Sequence, residues 1–331
     1  MRNPSDTFAR VLGPRLPQRL RPLARRLARR PATPPSAGVY DRGSYFGEGR
    51  DHLDRAGLSG YERYDRDTSN ADVAAYVLWR HFDVDRSVDV GCALGFVVEA
   101  LREVGIDASG FDVSQWVVDH PALGARGHIA HGDLLEGIPM RDPVPLVSCL
   151  ETLEHLPPAA VPGAVAELRR ITSSWLVATI PSFGPNANGP RGWFQVKVRD
   201  DRVAHYESLG PGYEGPVPEE DLYRDANGDP IEGHLTIASY GWWTRQFEAA
   251  GFERSAEMER RIHRQLYRFG MTKYWNLYVL RVPGTPLPPD PVRSPAELAE
   301  REAAWHLDRR SPQEGDDRLL RDAWGADAEL P

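Results

Sequence analysis

The chain has 331 residues, a formal charge of −8 at pH 7 from 40 Lys+Arg against 48 Asp+Glu, and 41% hydrophobic residues. That length suits one large α/β domain with additions or two modest domains, and nine Trp, twelve Tyr and ten Phe supply core material that excludes a wholly disordered chain. The 30 Gly and 29 Pro carry no repeat period, which excludes collagen-like and solenoid architectures, and no run approaches the roughly 18 apolar residues of a membrane-spanning helix.

Only two cysteines occur, Cys92 and Cys149, so a disulfide framework and a four-cysteine metal site are excluded and a cytoplasmic setting is expected. Residues 1–30 hold nine arginines and one acid, which leaves the remaining chain at −16. A body that acidic is a poor general binder of nucleic acid, and none is expected as a partner.

Residues 1–37 form a basic Pro/Arg-rich arm. Phe8, Val11, Leu12, Leu16, Leu20, Leu23 and Leu27 follow a helical period, but Pro14, Pro17 and Pro22 interrupt it. A flexible arm is expected, with peripheral contact to an anionic membrane as its functional reading. Residues 38–84 read as an N-terminal cap, aromatic and acidic at first, then a helix through "NADVAAYVLWRHF" capped by Ser69.

Residues 85–182 alternate in βα fashion. "SVDVG" reads as a buried strand, "FVVEALREVG" as a helix ended by Gly105, "DASGFDV" as a second strand and "HIAHGDL" as a short third. "PLVSCL" is the fourth strand, "PAAVPGAVAELRRI" a helix and "SWLVATIP" the fifth strand. This rhythm predicts an α/β fold with a doubly wound, mostly parallel sheet. Residues 183–236, rich in Gly, Pro, Asn and charge, read as a lid inserted after strand five. Residues 237–283 return to the core with the helix "YGWWTRQFEAAGF", a strand near 253–258 and a strand at 274–282. Residues 284–331 are a Pro-rich charged tail with one short helix at "PAELAEREAAWHLDRR", expected to pack lightly or not at all.

Asp89-Val90-Gly91-Cys92-Ala93-Leu94-Gly95 ends the first strand and enters a helix, where a glycine turn lets a ligand approach the backbone. The dinucleotide pattern G-x-G-x-x-G fails here, because Ala93 and Phe96 stand where two of its glycines belong. An acid in that crevice suits a ligand that carries a cation and repels a pyrophosphate. Asp112 follows Asp89 by 23 residues at the tip of strand two, and Asp133 follows Asp112 by 21 at the tip of strand three. A carboxylate at the second tip can accept both ribose hydroxyls, and one at the third can meet an adenine amino group.

"VDVGCALGFVVEALREVG", "GFDVS", "HGDLLEGIP" and "LVSCLETLEHL" resemble the sequential motifs of class I S-adenosylmethionine (SAM)-dependent methyltransferases. The resemblance covers residues 85–182, and 240–282 as that family's last helix and antiparallel hairpin; it implies a seven-stranded Rossmann-like sheet and SAM as cofactor. It assigns Asp89 and the backbone of Gly91, Cys92 and Gly95 to the methionine part. Asp112 takes the ribose, Val113 an adenine face, Asp133 with Leu134 the adenine edge, and the backbone near Cys149 and Leu150 the side near the sulfonium. Two departures stand out: Ala93 replaces a common glycine, and Pro143 and Pro145 open strand four where an aspartate is usual.

Methyl transfer from a sulfonium needs an in-line nucleophile held near contact distance, and an alcohol acceptor gains from a general base. His155, in "LEHL" after strand four, and His234, where the lid rejoins the fold, are the candidate bases, with Glu151 and Glu154 placed to orient them. "DANGDPIE" lacks the glycine and glutamate of a calcium loop and reads as a turn, so no metal is expected. Acceptor choice is expected in the aromatics Phe183, Trp193, Phe194, Tyr206, Tyr213 and Tyr223 of the lid and Tyr40, Tyr45, Phe46, Tyr61 and Tyr64 before the core. Interleaved with polar residues, they suit a glycan, glycolipid or other small-molecule acceptor methylated on oxygen. "GHLTIASYGWWTRQFEAAGF" is similar to segments of bacterial methyltransferases of cell-surface glycan assembly. RNA or protein as acceptor, and a non-catalytic SAM-binding role, are the competing readings; oligomeric state is left open.

Overall fold

The computed structural model describes residues 64–183, 198–209, 212–224, 230, 233–269 and 276–307, all of them within the unit 37–331. The basic arm, Tyr40, Tyr45, Phe46, Tyr61, Trp193, Phe194 and most of "DANGDPIE" lie outside these residues.

The core begins with helix α1 (Ala71–His81), followed by β1 (Arg86–Val90), α2 (Phe96–Glu103), β2 (Asp107–Asp112), the short α3 (Gln115–Asp119) and β3 (Ile129–His131). It continues through β4 (Val144–Leu150), α4 (Val161–Ile171) and β5 (Thr172–Thr179). The sheet runs β3-β2-β1-β4-β5-β9-β8, where β8 is Glu253–Arg254 and β9 is Leu277–Arg281. β1 to β5 are parallel, β9 is antiparallel to β5, and β8 is antiparallel to β9. The strand order reverses between β1 and β4, and in such sheets the crevice at the carboxyl ends of those two strands is where ligands bind.

Alternation along the central strands builds two cores. Trp175 and Val177 of β5 with Leu277 and Val279 of β9 face one side, and Leu176 and Ala178 with Tyr278 and Leu280 face the other. α4 and α6 (Tyr240–Ala249) cover the second side through Val165, Leu168, Trp243 and Phe247. α1 and α2 cover the first through Tyr76, Leu78, Val98 and Leu101.

The structure differs from the sequence expectation at three elements. α1 is buried on nearly all sides, and its N-cap is Asn70 at φ 55 with no side-chain cap; the Ser69 hydroxyl donates instead to the Arg66 carbonyl, so Ser69 does not cap the helix. The strand near 253–258 stops at Arg254, and α7 (Ala256–Arg268) occupies the connection to β9, its Met258, Ile262 and Leu266 four residues apart and packed into the first core. The tail is not loosely held as far as Leu307. α8 (Pro295–Ala304) starts at a capping box of Ser294 and Glu297, and Leu298, Trp305 and Leu307 join the first core. The Tyr76 hydroxyl donates to buried Glu302, which also pairs with Arg268, so the tail is tied to α1 and α7.

The inserted region has its own small core. β6 (Ser182–Phe183) pairs in parallel with β7 (Ala238–Ser239), α5 (Asp200–Ser208) follows the 184–197 stretch, and Phe183, Val198, Tyr206, Val217, Leu222 and Ile237 pack together. Phe183 and Tyr206 are therefore buried in packing, Tyr213 stacks on Phe183 at 5.9 Å, and Tyr223 alone of the described aromatics of this region is well exposed.

Candidate active site

β1 delivers Asp89 to the switch point. Its register partner on β4 is Ser148, whose hydroxyl donates to Asp89 Oδ1 at 2.7 Å. Burial raises the Asp89 carboxyl to about 7, opposed by the Ser148 hydrogen bond and reinforced by the nearby Asp112 charge. Among the described residues no cation pairs with it.

The turn that follows is fixed by close approach. A Cβ on Gly91 would fall 2.2 Å from Thr152 Oγ1, and one on Gly95 would fall 2.2 Å from Ile129 Cδ1; both glycines also have left-handed φ, +74° and +79°. Glycine is required at both on packing grounds as well as conformation. The amides of Gly91 and Cys92 donate to the Phe111 carbonyl at 2.8 and 3.2 Å, so these two N–H groups are engaged within the fold. The Cys92 side chain packs against β2, where a Cβ on Gly110 would fall 2.6 Å from its sulfur. Ala93, at φ 46, takes the left-handed conformation that a glycine would adopt without strain.

Asp112 ends β2 and closes this turn. Its Oδ2 accepts from the Ala93 amide and its Oδ1 from the Ser114 amide, each at 2.9 Å. Burial raises its pKa while those amides and the Ser114 turn pull it back, and each oxygen keeps a second acceptor position. Val113 is half-buried beside it. Asp133 caps a turn after β3, accepting from the Leu135 amide at 2.7 Å, while Leu134 is buried in the second core. Cys149 is fully buried in the same core, its thiol pushed up by desolvation, and Leu150 is half-buried at the end of β4.

Beyond β4, Glu151 has φ 50 and its amide donates to the Thr179 carbonyl. The next turn carries Glu154 and His155, and the returning end of the inserted region carries His234. The Leu235 and Thr236 amides both donate to the Glu154 carbonyl, at 2.8 and 2.9 Å, and the Thr236 hydroxyl donates to the Leu156 carbonyl at 2.6 Å. These bonds bring His155 and His234, the two candidate bases, into edge-to-face contact at 5.0 Å. Glu154 is fully buried behind them, 3.8 Å from His234 Nε2. The sequence gives Glu154 an orienting role at most; its membership of this cluster depends on the return path of the inserted region.

No protein-family model matches the chain. It is similar to the ubiquinone biosynthesis O-methyltransferase of Methylococcus capsulatus strain Bath, 35% identical over 97 residues that cover 26% of this chain and 39% of that protein. The counterpart from Ralstonia nicotianae is 36% identical over 90 residues, covering 25% of this chain and 38% of that protein. The chain thus spans about two fifths of the length of the curated relatives it matches. Among solved structures it is similar to a SAM-bound amino pentose methyltransferase of Micromonospora echinaspora, with 18% identity, 73% of this chain and 96% of that one covered, and a TM-score of 0.43, a likeness that carries no argument of its own. The parallel sheet closed by antiparallel β9 and β8, with acids at three successive strand ends, is the fold expected from the resemblance to class I SAM-dependent methyltransferases, and the curated O-methyltransferases are similar to about a quarter of the chain.

Proposed function

We propose that the protein transfers a methyl group from SAM to an oxygen of a small-molecule acceptor, with a glycan or glycolipid as the acceptor class. The observation that carries this reading is the shared edge: Asp89, Asp112 and Asp133 at the ends of β1 to β3, and the Glu154–His155–His234 cluster just past β4. The donor set fits the cofactor. A buried carboxyl with no cation beside it among the described residues suits the methionine ammonium, and Asp112 keeps acceptor positions for ribose hydroxyls. Asp89 with the carbonyls of the Gly91–Gly95 turn would hold the methionine part, Val113 an adenine face, Asp133 and Leu134 its edge, and the Cys149–Leu150 backbone the sulfonium side.

SAM supplies an electrophilic methyl carbon. The chain aligns the acceptor oxygen and takes up its proton, and the histidine cluster is the group placed for that. Oxygen as the target draws support from the O-methyltransferase relatives. The glycan class draws support from the segment around His234 and α6, and the arm's charge suits a lipid-linked form.

The test is transfer of labelled methyl from SAM to a panel of sugars, glycolipids and phenols. A His234→Ala chain should bind SAM as tightly as the parent and turn over about 10²–10⁴-fold more slowly. SAM binding without transfer to any hydroxylated acceptor would leave the non-catalytic reading in its place.

A further inference from the structure

The separation between His234 and Glu154 is the unusual quantity in the cluster. Nε2 and Oε1 are 3.8 Å apart, beyond the reach of a hydrogen bond, although both side chains are buried and pressed together. Two ligands of one ion bound at about 2.1 Å stand roughly 3 to 4 Å apart, so this spacing matches a shared metal. One ligand atom each from Glu154, His155 and His234 lies within 4.8 Å of the others, a gap that small side-chain rotations close.

The surroundings orient these donors. His155 Nδ1 is 3.2 Å from the Gly233 carbonyl, which fixes the proton on Nδ1 and places the lone pair on Nε2. The paired amides of Leu235 and Thr236 hold the two segments together through the Glu154 carbonyl. Edge-to-face packing at 80° keeps the imidazoles from stacking, so their nitrogens can converge.

We infer that Glu154, His155 and His234 form a binding site for a divalent first-row transition metal, such as Zn²⁺, Mn²⁺ or Fe²⁺. Two imidazoles and one carboxylate select these ions over Mg²⁺ and Ca²⁺, which prefer all-oxygen shells. Three protein ligands leave coordination positions open, the pattern of a site that binds a reacting group. Its use in catalysis rests on the methyl-transfer reading above. With the ion bound, the two imidazoles would serve as ligands instead of taking up the proton themselves: the acceptor hydroxyl would coordinate at an open position, where the ion lowers its pKa, and its proton would leave to solvent. Its oxygen then forms a bond to the methyl carbon as the carbon–sulfur bond breaks, and the electron pair of that bond remains on sulfur as the neutral thioether. The expectation of a metal-free protein followed from ligand spacing along the chain, which cannot register donors joined only by the fold.

The experiment is titration of the metal-stripped full chain with Co²⁺, followed by visible absorption, with Zn²⁺ competition and SAM binding measured in parallel. One Co²⁺ per chain with a ligand-field band, displaced by Zn²⁺, is the expected result. His234→Ala and Glu154→Gln should each weaken metal binding by more than the roughly 10–100-fold that loss of an outer-shell partner costs, with SAM affinity unchanged. His155→Ala, at a half-buried position, decides the question should Glu154→Gln fail to fold. A wild-type chain that binds SAM but takes up neither ion at about 100 μM overturns the metal site and leaves the methyltransferase reading intact. Metal binding without SAM binding does the reverse. Metal uptake undiminished in folded His234→Ala and His155→Ala chains also overturns it.

Discussion

Burial raises the Asp89 carboxyl to about 7, far above the ordinary aspartate near 4, even with Ser148 donating to it. Between those values the folded chain holds a proton that the unfolded chain has released. The group's contribution to stability is therefore complete below about pH 4 and is lost as pH rises through about 7. A cationic ligand demands the ionised form, so SAM should bind about tenfold more weakly at pH 6 than at pH 7.5, and Asp89→Asn should flatten that dependence, as calorimetry at the two pH values would show. An affinity independent of pH in the parent would remove Asp89 from the ligand's charge environment. Ala93 and Glu151, with φ 46 and 50, are two non-glycine residues in left-handed conformation on this same edge. Ala93→Gly should leave stability unchanged or raise it by up to about 1 kcal/mol in denaturant melts, since alanine is strained there by roughly that amount. The three strand-end acids were legible because each follows a strand at a βα interval. The meeting of Glu154 with His234 was not, because 80 residues of chain separate them and only the amides of Leu235 and Thr236 reunite them.

At the scale of elements, the apolar runs of β1, β2, β4 and β5 and the glycine-ended α2 could be read directly, and all four strands take their places in one parallel part of the sheet. α7 was lost because its first residues follow a strand-like pair, Glu253–Arg254, and its charged face hides the four-residue spacing of Met258, Ile262 and Leu266. Ile262 is fully buried, so Ile262→Ala should cost about 2–5 kcal/mol, read as a lower denaturant midpoint at unchanged slope. SAM affinity should survive in the folded variant, because α7 packs into the first core and supplies none of the residues proposed to hold SAM. α8 makes the same point for the tail: its composition reads as solvated, but Leu298, Trp305 and Leu307 face inward and Glu302 receives Tyr76 and Arg268. Tyr76→Phe should lower stability by about 1 kcal/mol, since Glu302 keeps its pairing with Arg268.

Across the whole molecule, the fold class follows from the βα rhythm, and the position of the site follows from the fold, since the strand order reverses between β1 and β4 and both Asp89 and Ser148 stand there. The aromatics of the inserted region resisted such reading: residue type alone cannot tell Phe183 and Tyr206, buried in that region's own core, from Tyr223 at the surface. The proposed function requires SAM to occupy the carboxyl edge with its ribose on Asp112. The most direct measurement is calorimetric titration of SAM and its demethylated product into the full chain and into Asp112→Ala. One-to-one binding of both ligands, weakened at least about tenfold in a folded variant by loss of a charge-assisted hydrogen bond, is the predicted result. No binding to the parent, or equal affinity in the folded variant, would contradict it.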